Sequence, residues 1–178
     1  MRKLTHAEVV SRQEGKLNQA RLPFVVVLNN IRSLYNVGSI FRTSDGAGVD
    51  KIWICGITGF PPNNQIAKTA LGAQEHVAWE YREDIRSVLK DLRAQNYQIV
   101  LLEQTEESCS FESFQPKTPV CLVIGNEIEG ASHSILDLCD AAIEIEMAGV
   151  KNSLNVAVAF GIVAYHFRCC LIKTLSVG

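Results

Sequence analysis

Several short apolar runs without polar alternation constrain the fold of this 178-residue chain most. Phe24-Val25-Val26-Val27-Leu28, Ile99-Val100-Leu101-Leu102 and Val120-Cys121-Leu122-Val123-Ile124 place apolar side chains at consecutive positions. Successive side chains of a strand point to opposite faces, so such a run is shielded from water only when both faces of its sheet are covered. Residues 51–55, 77–81 and 142–147 read as further strands. Between them lie segments of helical character at 36–47, 66–71 and 84–95, the last with Ile85, Val88, Leu89 and Leu92 on one face. Thr5-His6-Ala7-Glu8 has the spacing of a capping box and opens a helix expected to reach about residue 20; further helices begin near Ser132 and Ser153. Strands alternating with helices predict an α/β fold, a mostly parallel sheet flanked by helices.

The length suits one domain that buries roughly two-thirds of its unfolded surface, with no internal repeat and no linker. A hydrophobic share of 47% beside 20% charged residues excludes a disordered or low-complexity chain. A net charge of −2 excludes a globally basic surface, so any nucleic-acid site must be local. Basic residues do recur early, at Arg2, Lys3, Arg12, Lys16, Arg21, Arg32 and Arg42, a pattern that equally fits a solvated helix face followed by loops. Six cysteines without CxxC or Cys/His spacing argue against zinc and against a disulfide framework, and no signal peptide is expected ahead of Met1-Arg2-Lys3-Leu4, so the expected compartment is the cytoplasm. The apolar stretch 154–172 has the length of a membrane span, but Asn155, His166 and Arg168 interrupt it. It reads as a helix covered by the core on one side and a second subunit on the other, in a homodimer away from the membrane.

Three blocks carry chemistry. Residues 29–43, Asn-Asn-Ile-Arg-Ser-Leu-Tyr-Asn-Val-Gly-Ser-Ile-Phe-Arg-Thr, join the first strand to a helix, with Asn36 in the expected cap position and Arg42 about one and a half turns on. Amide dipoles beside a guanidinium favour phosphate, although a bare cap and a surface cation account for the same residues. Residues 122–132, Leu-Val-Ile-Gly-Asn-Glu-Ile-Glu-Gly-Ala-Ser, end a buried strand in a glycine-flanked turn with two carboxylates. This turn has neither GxGxxG nor Gly-Lys-Ser/Thr, which removes the usual support for hydride transfer and for NTP hydrolysis; an ordinary turn with Ser132 as cap remains open. The third block runs from Ala142-Ile143-Glu144-Ile145-Glu146-Met147 through Ala148-Gly149-Val150-Lys151-Asn152 to Ser153-Leu154-Asn155. It joins a strand, a glycine turn and a helix start, where backbone groups are left for a ligand; Asn152 or Ser153 acting only as a cap, with Asn155 bonding a nearby backbone group, is the plainer account.

In this order and at these separations the blocks resemble the SpoU/TrmH family of the SPOUT superfamily, RNA 2′-O-ribose methyltransferases, over roughly residues 23 to 170. Asn36, Gly38 and Arg42 look like its first motif, Gly125, Glu127 and Gly130 like its second, and Met147, Gly149, Ser153, Leu154 and Asn155 like its third. The resemblance implies an α/β-knot with a deep C-terminal trefoil knot, an N-terminal helical extension at 1–22 and a methyltransferase domain at 23–178. It also implies a homodimer that shares its active site. Leu102, Gly125, Ile145, Met147 and Leu154 would line S-adenosylmethionine, while Arg42, Asn36, Glu127, Ser153 and Asn155 would form the catalytic surroundings, with no metal. Arg42 is the residue such enzymes are held to use against the 2′-hydroxyl. A protonated guanidinium has no acceptor lone pair, so a clamp on phosphate and developing alkoxide is the expected role. Two departures flank the cofactor loop: Glu146 stands where the family commonly has proline, and Lys151-Asn152 where valine and a Glu or Gln are frequent. RNA is the implied partner, tRNA ahead of rRNA because no added N-terminal RNA-binding domain is expected. A silent RNA-binding or assembly protein, and an enzyme methylating a small molecule or a base nitrogen, are the alternatives on the same scaffold.

Overall fold

A computed structural model describes residues 1–14, 21–126 and 133–176. Seven strands form one sheet in the order β3-β2-β1-β6-β4-β7-β5, and every neighbouring pair is parallel. In chain order the strands are β1 (Leu22–Asn29), β2 (Val49–Cys55), β3 (Ala78–Arg82), β4 (Gln98–Leu102), β5 (Cys109–Ser110), β6 (Val120–Ile124) and β7 (Ala141–Glu144). The helices are α1 (His6–Glu14), α2 (Leu34–Ala47), α3 (Asn64–Ala70), α4 (Ile85–Ala94), α5 (His133–Leu136) and α6 (Val156–Leu175). The sheet is therefore wholly parallel, and the fold is the α/β class that the apolar runs required.

The strand period of two sorts each buried run into two cores. Phe24, Val26 and Leu28 of β1 join Val37, Ile40 and Phe41 of α2 and Phe160, Val163 and Phe167 of α6 on one face. Val25 and Val27 join Val88, Leu89 and Leu92 of α4 on the other. Phe24 and Phe167 meet with ring centroids 5.5 Å apart, which fixes α6 over the sheet. α6 is long and apolar enough to cross a membrane, yet Phe160, Val163, Ala164, Phe167 and Leu171 bury one face of it in this core.

Several boundaries differ from the sequence-based expectation. Thr5 and Glu8 do form the reciprocal capping box, with the Thr5 amide 2.7 Å from Glu8 Oε2 and the Glu8 amide 3.3 Å from Thr5 Oγ1. Asn36 is not the cap of α2. Ser33 holds that place in extended conformation and its hydroxyl accepts from the Asn36 amide, so Asn36 sits in the first turn. β7 stops at Glu144 rather than Met147, because its partner β4 pairs only as far as Ile143 and β5 only as far as Glu144. The final helix is capped by Asn155, not by Asn152 or Ser153. The short strand β5 falls between β4 and β6, where the sequence pattern predicted no element. Glu127, Gly130 and Ser132, and the end of the first predicted helix at residues 15–20, lie outside the described residues.

Candidate active site

Parallel strands deliver all their carboxyl ends to one edge, and the three sequence blocks follow β1, β6 and β7 there. In open α/β sheets this edge is where a ligand meets unpaired backbone groups. Leu28, Ile124 and Leu102 stand in register across β1, β6 and β4, and Ile143 of β7 stands beside Leu102. The residues that follow them in the chain therefore start level.

Specific hydrogen bonds then join the blocks. Asn126 is buried, and its Nδ2 donates to the Asn30 carbonyl at 3.0 Å, tying the turn after β6 to the loop after β1. Asn155 Nδ2 donates to Asn36 Oδ1 at 3.2 Å, bringing together residues 119 positions apart. The same Asn155 accepts the Ala157 and Val158 amides through Oδ1, at 3.0 and 3.4 Å. One side chain thus caps α6 and holds α2 beside it. Gln104 Nε2 donates to the Asn152 carbonyl at 2.9 Å, strapping the loop after β4 to the segment between β7 and α6.

A cleft of about 470 Å³ opens at this edge. Leu102, Gly125, Ile145, Met147 and Leu154 all line it, as does Ser153. Glu103 and Glu144 bring carboxylates to its wall, and Glu144 Oε2 accepts from the Ser108 hydroxyl at 2.9 Å. Gly149 and Lys151 line a neighbouring hollow with Glu146, while Asn152 lines both that hollow and the cleft. The wall thus offers apolar side chains, strand-end backbone and carboxylates. That donor set accepts a flat aromatic ring with a polar edge together with a cationic group.

Asn36 and Arg42 do not line the cleft. Arg42 is exposed on α2, and no cation stands among the described lining residues. Sequence reasoning missed Asn30, Gln104 and Asn126 as parts of the site. The rule that loops after parallel strands face the ligand would have pointed to Gln104, since it follows β4 by two residues.

A model of the SpoU rRNA Methylase family matches residues 23–165. A protein of Staphylococcus saprophyticus placed in the TrmH family of tRNA/rRNA methyltransferases is 32% identical over 148 residues, which is 83% of this chain and 59% of that protein. YacO of Bacillus subtilis, placed in the same family, is 29% identical over 144 residues, 81% of this chain and 57% of that one. The chain thus spans under two-thirds of the length of these relatives. Among solved structures, the A. aeolicus TrmH/SpoU tRNA modifying enzyme superposes with a TM-score of 0.82 at 27% identity, covering 94% of this chain and 85% of its own. The AdoMet-bound rRNA methyltransferase of Sinorhizobium meliloti gives 0.78 at 28% identity, covering 83% and 56%.

Proposed function

The chain belongs to the SpoU rRNA methylase family, and from that membership we propose that it is an S-adenosylmethionine-dependent methyltransferase of RNA ribose 2′-hydroxyls. The observation that carries the reading is the meeting of the three blocks at one sheet edge, where Asn155 bonds Asn36 beside a 470 Å³ cleft. The cleft suits the cofactor. Leu102, Ile124, Ile145 and Met147 offer apolar contact to an adenine ring, the strand-end backbone near Gly125 and Leu154 offers partners for its edge, and Glu103 and Glu144 offer charge to an ammonium. Bound there, S-adenosylmethionine supplies an electrophilic methyl group on a sulfonium.

The chain's own part is positioning, which by itself removes much of the barrier to a two-reactant displacement. Asn155 keeps the start of α6 against the start of α2, and Ser153 presents its hydroxyl at the cleft wall. Arg42 holds the phosphate next to the target ribose and the alkoxide that develops, while the proton leaves to phosphate, water or a transiently neutral guanidine. Glu127 completes the polar surroundings in this reading. Because Arg42 is exposed on α2, away from the cleft, it serves the cleft of a second copy. The uncovered apolar residues Val158, Ile162, Tyr165 and Ile172 on α6 support that homodimer. The strap from Gln104 to Asn152, and β6 lying between β1 and β4, support a knotted path for the segment after β7. The likeness to a tRNA modifying enzyme over 85% of its length favours tRNA over rRNA, and six free thiols suit the cytoplasm.

Arg42→Ala tests the assignment. Turnover on RNA is expected to fall about a hundred- to a thousand-fold, as when a transition-state donor is removed, with S-adenosylmethionine affinity by calorimetry unchanged. Retained turnover overturns the role of Arg42, and an unaltered profile of ribose-methylated nucleosides in tRNA and rRNA on deleting the gene overturns the reaction.

A further inference from the structure

Three aromatic rings gather at the other end of this same sheet edge, outside the cleft. Phe60 lies on the loop after β2, and Trp79 and Tyr81 lie on β3, the edge strand. The Phe60 ring is 4.8 Å from that of Tyr81 and 6.0 Å, stacked, from that of Trp79. Trp79 packs inward against the core, whereas Phe60 and Tyr81 remain 43% and 37% exposed.

The exposure belongs to a well-held loop. The Ile57 amide donates to Asn30 Oδ1 at 3.0 Å, the Ile31 amide to the buried Thr58 hydroxyl at 2.9 Å, and the Tyr81 hydroxyl to the Gly56 carbonyl at 3.0 Å. Gly56 has a positive φ of 62°, and a Cβ there would run into Asn30 Oδ1. Gly59 packs against the side chain of Leu34, the first residue of α2, two residues before Asn36. The rings are thus fixed relative to the helix that carries Asn36 and Arg42.

The charge on the loop and helix beside them has one sign. The chain has 19 acidic residues, yet none falls in residues 29–44 or 52–74, the segments that carry Phe60 and the start of α2, whereas β3 is followed by Glu83 and Asp84, with the Glu83 carbonyl accepting from the Gly56 amide at 3.1 Å. Arg32, Arg42 and Lys68 of those segments are exposed. Glu80 and Arg82 alternate with Trp79 and Tyr81 along β3 and so point to the opposite face, where Glu80 bonds Lys51. Flat apolar rings flanked on the side of α2 and the loop after β2 by cations and no carboxylate match a nucleobase attached to a phosphate backbone better than they match an apolar protein helix.

We propose that Phe60 and Tyr81 form a stacking step for an unpaired base of the RNA substrate, a few nucleotides from the methylated ribose. The step rests on the reading of the cleft as an RNA methyltransferase site. Binding of a labelled, unstructured RNA of mixed sequence is measured by anisotropy for the parent and for Phe60→Leu, Tyr81→Leu and Phe60→Trp, beside methyl transfer by the parent to bulk tRNA and rRNA. Each Leu variant keeps apolar bulk but loses the ring, and is expected to bind about ten-fold more weakly. Phe60→Trp is expected to retain affinity, and the salt dependence to stay the same throughout because no phosphate contact is removed. Unchanged affinity in both Leu variants overturns the step, as does a loss that Phe60→Trp shares or that comes with a lowered Tm. Methyl transfer with ring-independent binding overturns the step alone, whereas a parent that methylates neither RNA overturns the reading beneath it.

Discussion

At Gly38 helix propensity and packing pull in opposite directions. Alanine normally stabilises a helix interior over glycine by about 1 kcal/mol. Here a Cβ would run into Thr69 Oγ1 and the Ile66 carbonyl of α3. The threonine can rotate but the carbonyl is backbone, and overpacking of that kind costs about 1–3 kcal/mol. Gly38→Ala is therefore expected to lower stability by up to about 2 kcal/mol, read as a smaller urea midpoint at constant slope. The cysteines offer a second comparison at this scale. Burial pushes the Cys55 thiol up to about 12 and Cys139 up to about 11, and raises Cys121 as well, while Cys109 and Cys169 are exposed. Iodoacetamide at neutral pH is expected to label Cys109 and spare Cys55 and Cys121 in the folded protein, checked by peptide mass spectrometry. Asn36 and Asn155 could be singled out one by one in the sequence, because a motif is a statement about residue types in order. The partner of each could not, since nothing local to Asn155 indicates that its amide meets Asn36.

Helix α6 shows what a single element can and cannot disclose. Its apolar content all round the helix announces burial on more than one side, and the structure gives the inward face to Phe160, Val163 and Phe167. Val158, Ile162, Tyr165, Ile172 and Leu175 are left to solvent on the outward face, a stripe of the kind that marks an interface. Ile162→Glu is expected to leave circular dichroism and S-adenosylmethionine binding close to the parent's while converting the proposed dimer to a monomer by light scattering and removing methyl transfer. A parent that is monomeric at working concentration would count against the shared site. The misplaced boundaries have a similar origin. Ala142 to Met147 alternates like a strand throughout, but a strand lasts only as long as a neighbour pairs with it, and β4 and β5 supply none beyond Glu144. β5 itself is two residues long, too short to leave a periodic trace.

For the whole molecule, the buried thiols tie stability to alkaline pH. An acid whose folded pKa is raised keeps its proton in the folded state where the unfolded chain would release it. Stability from Cys55 and Cys139 is thus complete below the unfolded thiol value of about 8.5 and is lost as pH rises from there through their folded values of about 12 and 11, and the raised Cys121 thiol acts in the same direction. Denaturant midpoints are expected to be flat from neutrality to that point and to fall above it, with Cys55→Ala showing a shallower fall. By itself the sequence determined the α/β class, the two-sided burial of its sheet, the capping box at Thr5 and the order of the three blocks. These follow from periodicity and residue chemistry, which act over a few neighbouring positions. Only the tertiary structure decided which strand lies beside which, that every pair is parallel, and that the blocks meet at one edge through the Asn126–Asn30 and Asn155–Asn36 bonds. Those are choices among contacts distant in sequence, made by how two cores close around one sheet, and no local pattern records them.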